Sequence, residues 1–184
     1  MFRRFVELEL VRVRGCPQAG MLADKVYERL EGALRRKVAF ITDSTVTHMV
    51  AQAVAADNPF AAAIPGLLTN QDRERGLASV RQQVESGALK LPEPLVERLE
   101  LQLGYVTDAF LEALARLEEN QDAICNALLD GRRFQVIEDV GLSAGDTHNR
   151  GRSVTIFHTD AGTLVYKPHD LRAEGRLREF ARAC

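Results

Sequence analysis

Apolar residues recur at steps of three and four through most of this chain and change to alternation after Gly131, which predicts helices followed by a small sheet. The exception comes first. In residues 5–14, Val6, Leu8 and Leu10 alternate with Glu7 and Glu9, and the parity flips at Val11 and Val13. That pattern predicts an initial strand with a bulge, with a helix carrying basic ends as the alternative. From Met21 to about Lys37, Leu22, Val26, Leu30, Ala33 and Leu34 fall at helical spacing, with Asp24 in the first turn and Arg35, Arg36 and Lys37 in the last. An apolar run over 38–41 then precedes Thr42, Asp43 and Ser44, whose side-chain oxygens suit the cap of a second helix that Asn58-Pro59 closes. Residues 59–71 read as an apolar loop, and a helix is predicted over 72–85, weakened by Gly76.

Pro92 and Pro94 mark a hinge before a helix of about 30 residues, with a bend expected near Gly104. Its stripe runs Leu99, Leu103, Val106, Phe110, Leu114, Leu117, Ile124 and Leu128, and Asp130-Gly131 supplies a left-handed stop. Phe134, Val136, Ile137 and Val140 then make a short strand. Residues 141–151 form a polar turn, and 152–158 a second strand. Thr159 to Gly162 has the composition of a four-residue hairpin loop, and the return strand carries Thr163, Val165 and Lys167 on one face until Pro168 ends the ladder. A final amphipathic helix from Asp170 carries Ala173, Leu177 and Phe180. The fold class expected is therefore α+β. It comprises a helical region over 1–90, a long helix over 91–131 and a β element over 132–184 with a C-terminal helix.

Composition narrows the class without naming a chemistry. The 184 residues are 46% apolar and 27% charged, with mean hydropathy −0.16 and net charge −2, as in ordinary globular proteins. Neither nucleic acid nor a membrane is expected as a partner, since charge of both signs is interspersed and no apolar run is long enough to span a bilayer. Cys16, Cys125 and Cys184 are far apart without a paired motif, which suggests reduced thiols and a cytoplasmic location.

The candidate chemistry lies in 145–168, GDTHNRGRSVTIFHTDAGTLVYKP. Gly145 and Gly151 hold Asp146, Thr147, His148 and Asn149 in a turn beside Arg150 and Arg152, where backbone N–H groups can meet an anion while carboxylate and imidazole act on a proton. The hairpin then returns Lys167 toward that turn. A polar glycine loop over strands followed by a strand lysine is how kinase-like N-lobes hold nucleotide phosphates, and no G-x-x-x-x-G-K-[ST] loop occurs. The plainer readings are a solvated Lys167 at a strand edge, and Asp146 and His148 as turn formers. A metal site is not expected from Asp146 and His148, because two ligands two apart define no coordination sphere. His48 and His158 read as structural.

GDTHNRGRSV followed by YKPHDL resembles the dehydratase domain of class II lanthipeptide synthetases, in which G-D-[ST]-H-N-x-G-[RK]-x-V leads through a strand pair to Y-K-P-[RH]-x-L. The resemblance covers about residues 105–180, including RLEENQDAICNALL upstream, and 1–104 only loosely. It implies a fold related to lipid and protein kinases. It also implies ATP with Mg2+ as cofactors, used to phosphorylate Ser and Thr of a precursor peptide before phosphate elimination. Lys167 matches the nucleotide-phosphate lysine, and Asp146 and His148 the pair implicated in dehydration. Asn149, Arg150 and Arg152 would hold the loop or contact phosphate, and Glu174 or Glu179 would orient Lys167. Because the chain stops at Cys184, the resemblance reads the β element as a truncated N-lobe, incomplete alone: a fragment, a remnant of a truncated gene, or half of a split enzyme whose C-lobe a second chain supplies. The alternative is a non-catalytic module that binds a precursor peptide or a partner chain.

Overall fold

The computed structural model describes residues 2–57, 69–142 and 152–168. In order these are α1 (Arg3–Arg14), a 3₁₀ turn (Pro17–Met21), α2 (Asp24–Asp57), α3 (Asn70–Glu85), α4 (Glu93–Glu119) and α5 (Gln121–Leu128), then β1 (Ile137–Gly141), β2 (Thr155–Thr159) and β3 (Gly162–Tyr166). The fold is α+β, mostly helical with one small antiparallel sheet. It divides into two compact units, each discontinuous in sequence. One comprises Met1–Gly15 and Glu31–Thr107, the other Cys16–Leu30 and Asp108–Cys184.

In the first unit, residues 3–14 are a helix and not the bulged strand that alternation suggested. Phe5, Val6 and Val13 are buried on one face, and the parity flip at Val11 is the helical period showing through. Arg3 pairs with Glu7 at 2.6 Å and Arg12 with Glu9 at 2.7 Å, while Arg12 and Arg14 sit in the last turn, where the macrodipole favours cations.

Two predicted helices prove to be one, α2. The expected cap does not form, because the Thr42 hydroxyl donates to the Val38 carbonyl at 2.9 Å inside the helix. Buried Leu34, Val38 and Ile41 carry the apolar stripe straight through that point.

Helix α3 begins with a capping box: the Asp72 N–H donates to Thr69 Oγ1 at 3.1 Å, and Asp72 Oδ2 accepts from the Thr69 N–H at 3.0 Å. The Thr69 hydroxyl also holds the Asp72 carboxyl below its ordinary range. Gly76 lies against α2, where a Cβ would stand 2.8 Å from Val54 Cγ2 and 2.9 Å from Val50 Cγ1.

The long helix breaks at Asn120, not near Gly104. Asn120 leaves helical geometry at φ −108° and ψ 14°, and its Nδ2 donates to the Arg116 carbonyl at 2.8 Å, stopping α4 one residue before α5 starts. The left-handed stop is as expected, with Asp130 at φ 52° and Gly131 at φ 78°, and the Gly131 N–H donates to the Cys125 carbonyl at 2.9 Å. Cys16 and Cys125 are free thiols. Most of the predicted loop over 59–71 and all of the predicted helix from Asp170 lie outside the described residues.

Candidate functional site at the open end of the sheet

The second unit is built around the three-stranded meander β1-β2-β3. Its register pairs Val140 with Phe157 and Leu164, so one face buries these together with Ile137, Thr155 and Thr159. The Phe157 ring stacks on Phe110 of α4 with centroids 6.4 Å apart. This leaves the polar positions His158 and Thr163, with half-buried Ile156 and exposed Val165, on the other face, where His158 Nδ1 and Thr163 Oγ1 are 3.1 Å apart.

Residues distant in sequence anchor β1. Leu22 bridges Ile137 in parallel, and the Ala23 N–H donates to the Ile137 carbonyl at 3.0 Å. Asp139 receives Lys25 Nζ at 2.8 Å and Arg29 Nε at 3.0 Å, and these donors, Arg29 foremost, hold its carboxyl well below the usual carboxylate range. The Gln121 amide donates to the Phe134 carbonyl at 2.7 Å, tying the start of α5 to the approach of the strand.

The hairpin between β2 and β3 is tighter than the four-residue loop expected, because Thr159 and Gly162 pair within the strands. Asp160 and Ala161 turn the chain, and the Thr159 hydroxyl donates to the Gly162 carbonyl at 2.7 Å while accepting from the Gly162 N–H at 3.1 Å. Gly162 has φ 153°, and a Cβ there would meet Leu129 at 2.9 Å, so glycine is required twice over. The Asp160 carboxylate accepts the Gln135 N–H at 3.0 Å and fixes this end of the sheet against the strand approach.

The opposite end is the candidate site. Gly141 pairs with Ile156 and Thr155 with Tyr166, so the end of β1, the start of β2 and the end of β3 lie side by side, joined by the connection that holds the GDTHNRG run. Lys167 follows Tyr166 at this end, exposed, at the next position of the alternation that turns Thr163 and Val165 outward. Arg152 also enters here. Its Nε and Nη2 donate to Glu112 Oε2 at 2.8 and 2.7 Å, while Arg116 Nη2 reaches the other oxygen of the same carboxylate at 2.7 Å. Glu112 thereby fixes where the connection enters β2.

That role of Glu112 was not foreseen. The Glu112–Arg116 spacing is legible as a helical pair, but nothing in the sequence ties either residue to Arg152 forty positions on. Beneath the sheet a groove of about 280 Å³ runs between Leu117, Ile124 and Leu128 on the helical side and Phe157, Leu164 and Tyr166 on the strands. Burial raises the Tyr166 phenol above its ordinary value.

Of the candidate site residues, Arg152 and Lys167 fall at this one end of the sheet, whereas Asp146, His148, Asn149 and Arg150 lie outside the described residues, as do Glu174 and Glu179. Among the described residues, no group of three His, Cys, Asp or Glu could hold a metal ion, and no helix is long and apolar enough to cross a membrane. With Arg152 engaged by Glu112, the exposed Lys167 is what can present positive charge to an anion at this end of the sheet.

No curated protein matches the chain. Residues 94–184, which take in α4, α5 and the whole sheet, match the model of a domain of unknown function (DUF4135), a domain associated with class II lanthipeptide dehydratases, and this part of the chain is therefore similar to that family.

Proposed function

We propose that this chain contributes the nucleotide-facing part of a class II lanthipeptide dehydratase. Such an enzyme phosphorylates Ser and Thr of a precursor peptide at the expense of ATP and then eliminates the phosphate. The observation that carries the reading is topological: an antiparallel meander whose β1–β2 connection holds GDTHNRG and whose third strand delivers Lys167 to that same end. In a kinase-like N-lobe a glycine loop and a strand lysine at such an end hold phosphates, which supports the reading.

ATP would supply the phosphoryl group. Lys167, exposed and positive at the sheet end, fits a nucleotide phosphate as a point charge. In this reading Arg152, oriented by Glu112, holds the connection in place, Asn149 and Arg150 complete the anion contacts, and Asp146 and His148 remove a proton in the elimination. Kinase-like phosphoryl transfer needs metal-holding and nucleophile-orienting groups as well, and in this reading a second lobe supplies them. The protein then works in the cytoplasm with that lobe and a precursor peptide as its partners.

Isothermal titration with MgATP tests the central assignment. Weak binding is expected, reduced about tenfold in Lys167→Ala, in line with loss of one charged phosphate contact. Binding that is absent, or that is unchanged in Lys167→Ala, refutes the role of Lys167.

A further inference from the structure

The first compact unit carries a groove unrelated to the sheet. Two adjoining hollows, of about 320 and 470 Å³, share Arg3, Val6 and Arg35. Their α2 wall extends from Glu31 to Val46, which at about 1.5 Å per residue is roughly 22 Å. Along α1 the lining positions are 3, 6, 7, 10, 11 and 14, one complete helical stripe. A hollow of four helical turns, walled by two helices with Leu77 and Arg81 of α3 in its lining, is too long for a small molecule and matches a helix laid into a groove.

Its chemistry is two-sided. The floor is apolar, through Val6, Val38, Val46 and Leu77, and Leu77 and Val11 remain 40% and 65% exposed. Both are large apolar side chains that water would be relieved of by an occupant. The rim is basic: Arg3, Arg14, Arg35 and Arg81 against Glu7 and Glu31, a local charge of 4 − 2 = +2 on a chain whose net charge is −2. The two glutamates are turned to their own helices, Glu7 to Arg3 at 2.6 Å and Glu31 to Arg35 at 2.6 Å. Such exposed pairs are worth only a few tenths of a kcal/mol, so carboxylates of an incoming segment can share these guanidinium forks.

We infer that this groove binds an acidic amphipathic helical peptide segment, its apolar stripe on Val11, Val46 and Leu77 and its carboxylates on the arginine rim. The concavity favours a helix over a bilayer, which would need a protruding apolar surface. The inference does not depend on the nucleotide reading, because none of the groove residues belongs to the sheet end.

The test uses the full chain and two fluorescein-labelled peptides of about 15 residues. Both carry leucine at helical spacing, one flanked by glutamates and the other by lysines. Fluorescence anisotropy should show saturable binding of the acidic peptide and none of the basic one. The double variant Arg35→Glu/Arg81→Glu, whose side chains are exposed, should weaken the acidic peptide at least about tenfold and Leu77→Glu should weaken it too, with far-UV circular dichroism unchanged. The inference is overturned if the acidic peptide does not bind, if both peptides bind alike, or if the double variant binds as the parent does. Capture by phosphatidylglycerol vesicles that the same variants abolish would overturn it in favour of a lipid surface.

Discussion

Replacing Gly76 with alanine should destabilise the protein although it improves the helix. In isolation the change gains about 1 kcal/mol, since glycine is that much poorer than alanine in a helix interior. In place, the new methyl would lie 2.8 Å from Val54 Cγ2, 2.9 Å from Val50 Cγ1 and 3.2 Å from the Val50 carbonyl oxygen. Carbon atoms in contact normally stand about 3.5–4.0 Å apart, so two β-branched side chains and a backbone atom must retreat by several tenths of an ångström or more. Overpacking of this kind costs about 1–3 kcal/mol, which exceeds the propensity gain and leaves a net loss of about 1 kcal/mol. Gly32 of α2 is the internal control, because among the described residues a Cβ there would meet only the flexible end of Arg36, at 3.4 Å. Gly32→Ala should therefore stabilise by up to about 1 kcal/mol. Urea unfolding followed by far-UV circular dichroism suits a chain without tryptophan, and the two midpoints should move in opposite directions. If Gly76→Ala raises the midpoint as Gly32→Ala does, helix α3 does not approach α2 at this position and the packing argument fails.

Thr107 is fully buried, and among the described residues its hydroxyl has no hydrogen-bond partner; Thr107→Val should raise the melting temperature by a few degrees, for a gain of about 1 kcal/mol, and a lowered one in calorimetry would show that the hydroxyl is satisfied. Asp139→Asn removes the carboxylate that Lys25 and Arg29 hold, at a cost of about 1 kcal/mol near neutrality. Because the folded Asp139 carboxyl lies below its unfolded value of about 3.9, its contribution is complete above that pH and is lost as the pH falls further. The stability gap between parent and variant should thus be full at about pH 6 and narrow below about pH 4; a gap that widens in acid would contradict the assignment.

The helical parts and the hairpin were legible because each depends on neighbours in sequence. Thr69 with Asp72, Asp130-Gly131 and Thr159 to Gly162 are local devices; the structure uses Asp130-Gly131 as its composition implies and turns the hairpin on Asp160 and Ala161 alone. Errors arose where two periods fit one stretch. Residues 5–14 satisfy alternation as well as a helical stripe, and burial of Phe5, Val6 and Val13 decides for the helix. At Thr42 a residue equally suited to capping and to bonding back along the helix takes the second course, since the apolar stripe does not pause there. Gly76 read as a weakness in a helix and is instead the point where two helices meet closely.

The sequence alone determined that this chain is helical with a late antiparallel hairpin, and that a glycine-punctuated polar run precedes a strand lysine. Those properties follow from periodicity and turn chemistry, which act over a few residues. Tertiary structure alone decided that residues 16–30 fold with 108–184, that Lys25 and Arg29 secure β1 through Asp139, and that Glu112 receives Arg152. The pairs involved lie forty to more than a hundred positions apart, and whether two such charges meet depends on where whole elements pack, which no short-range preference encodes.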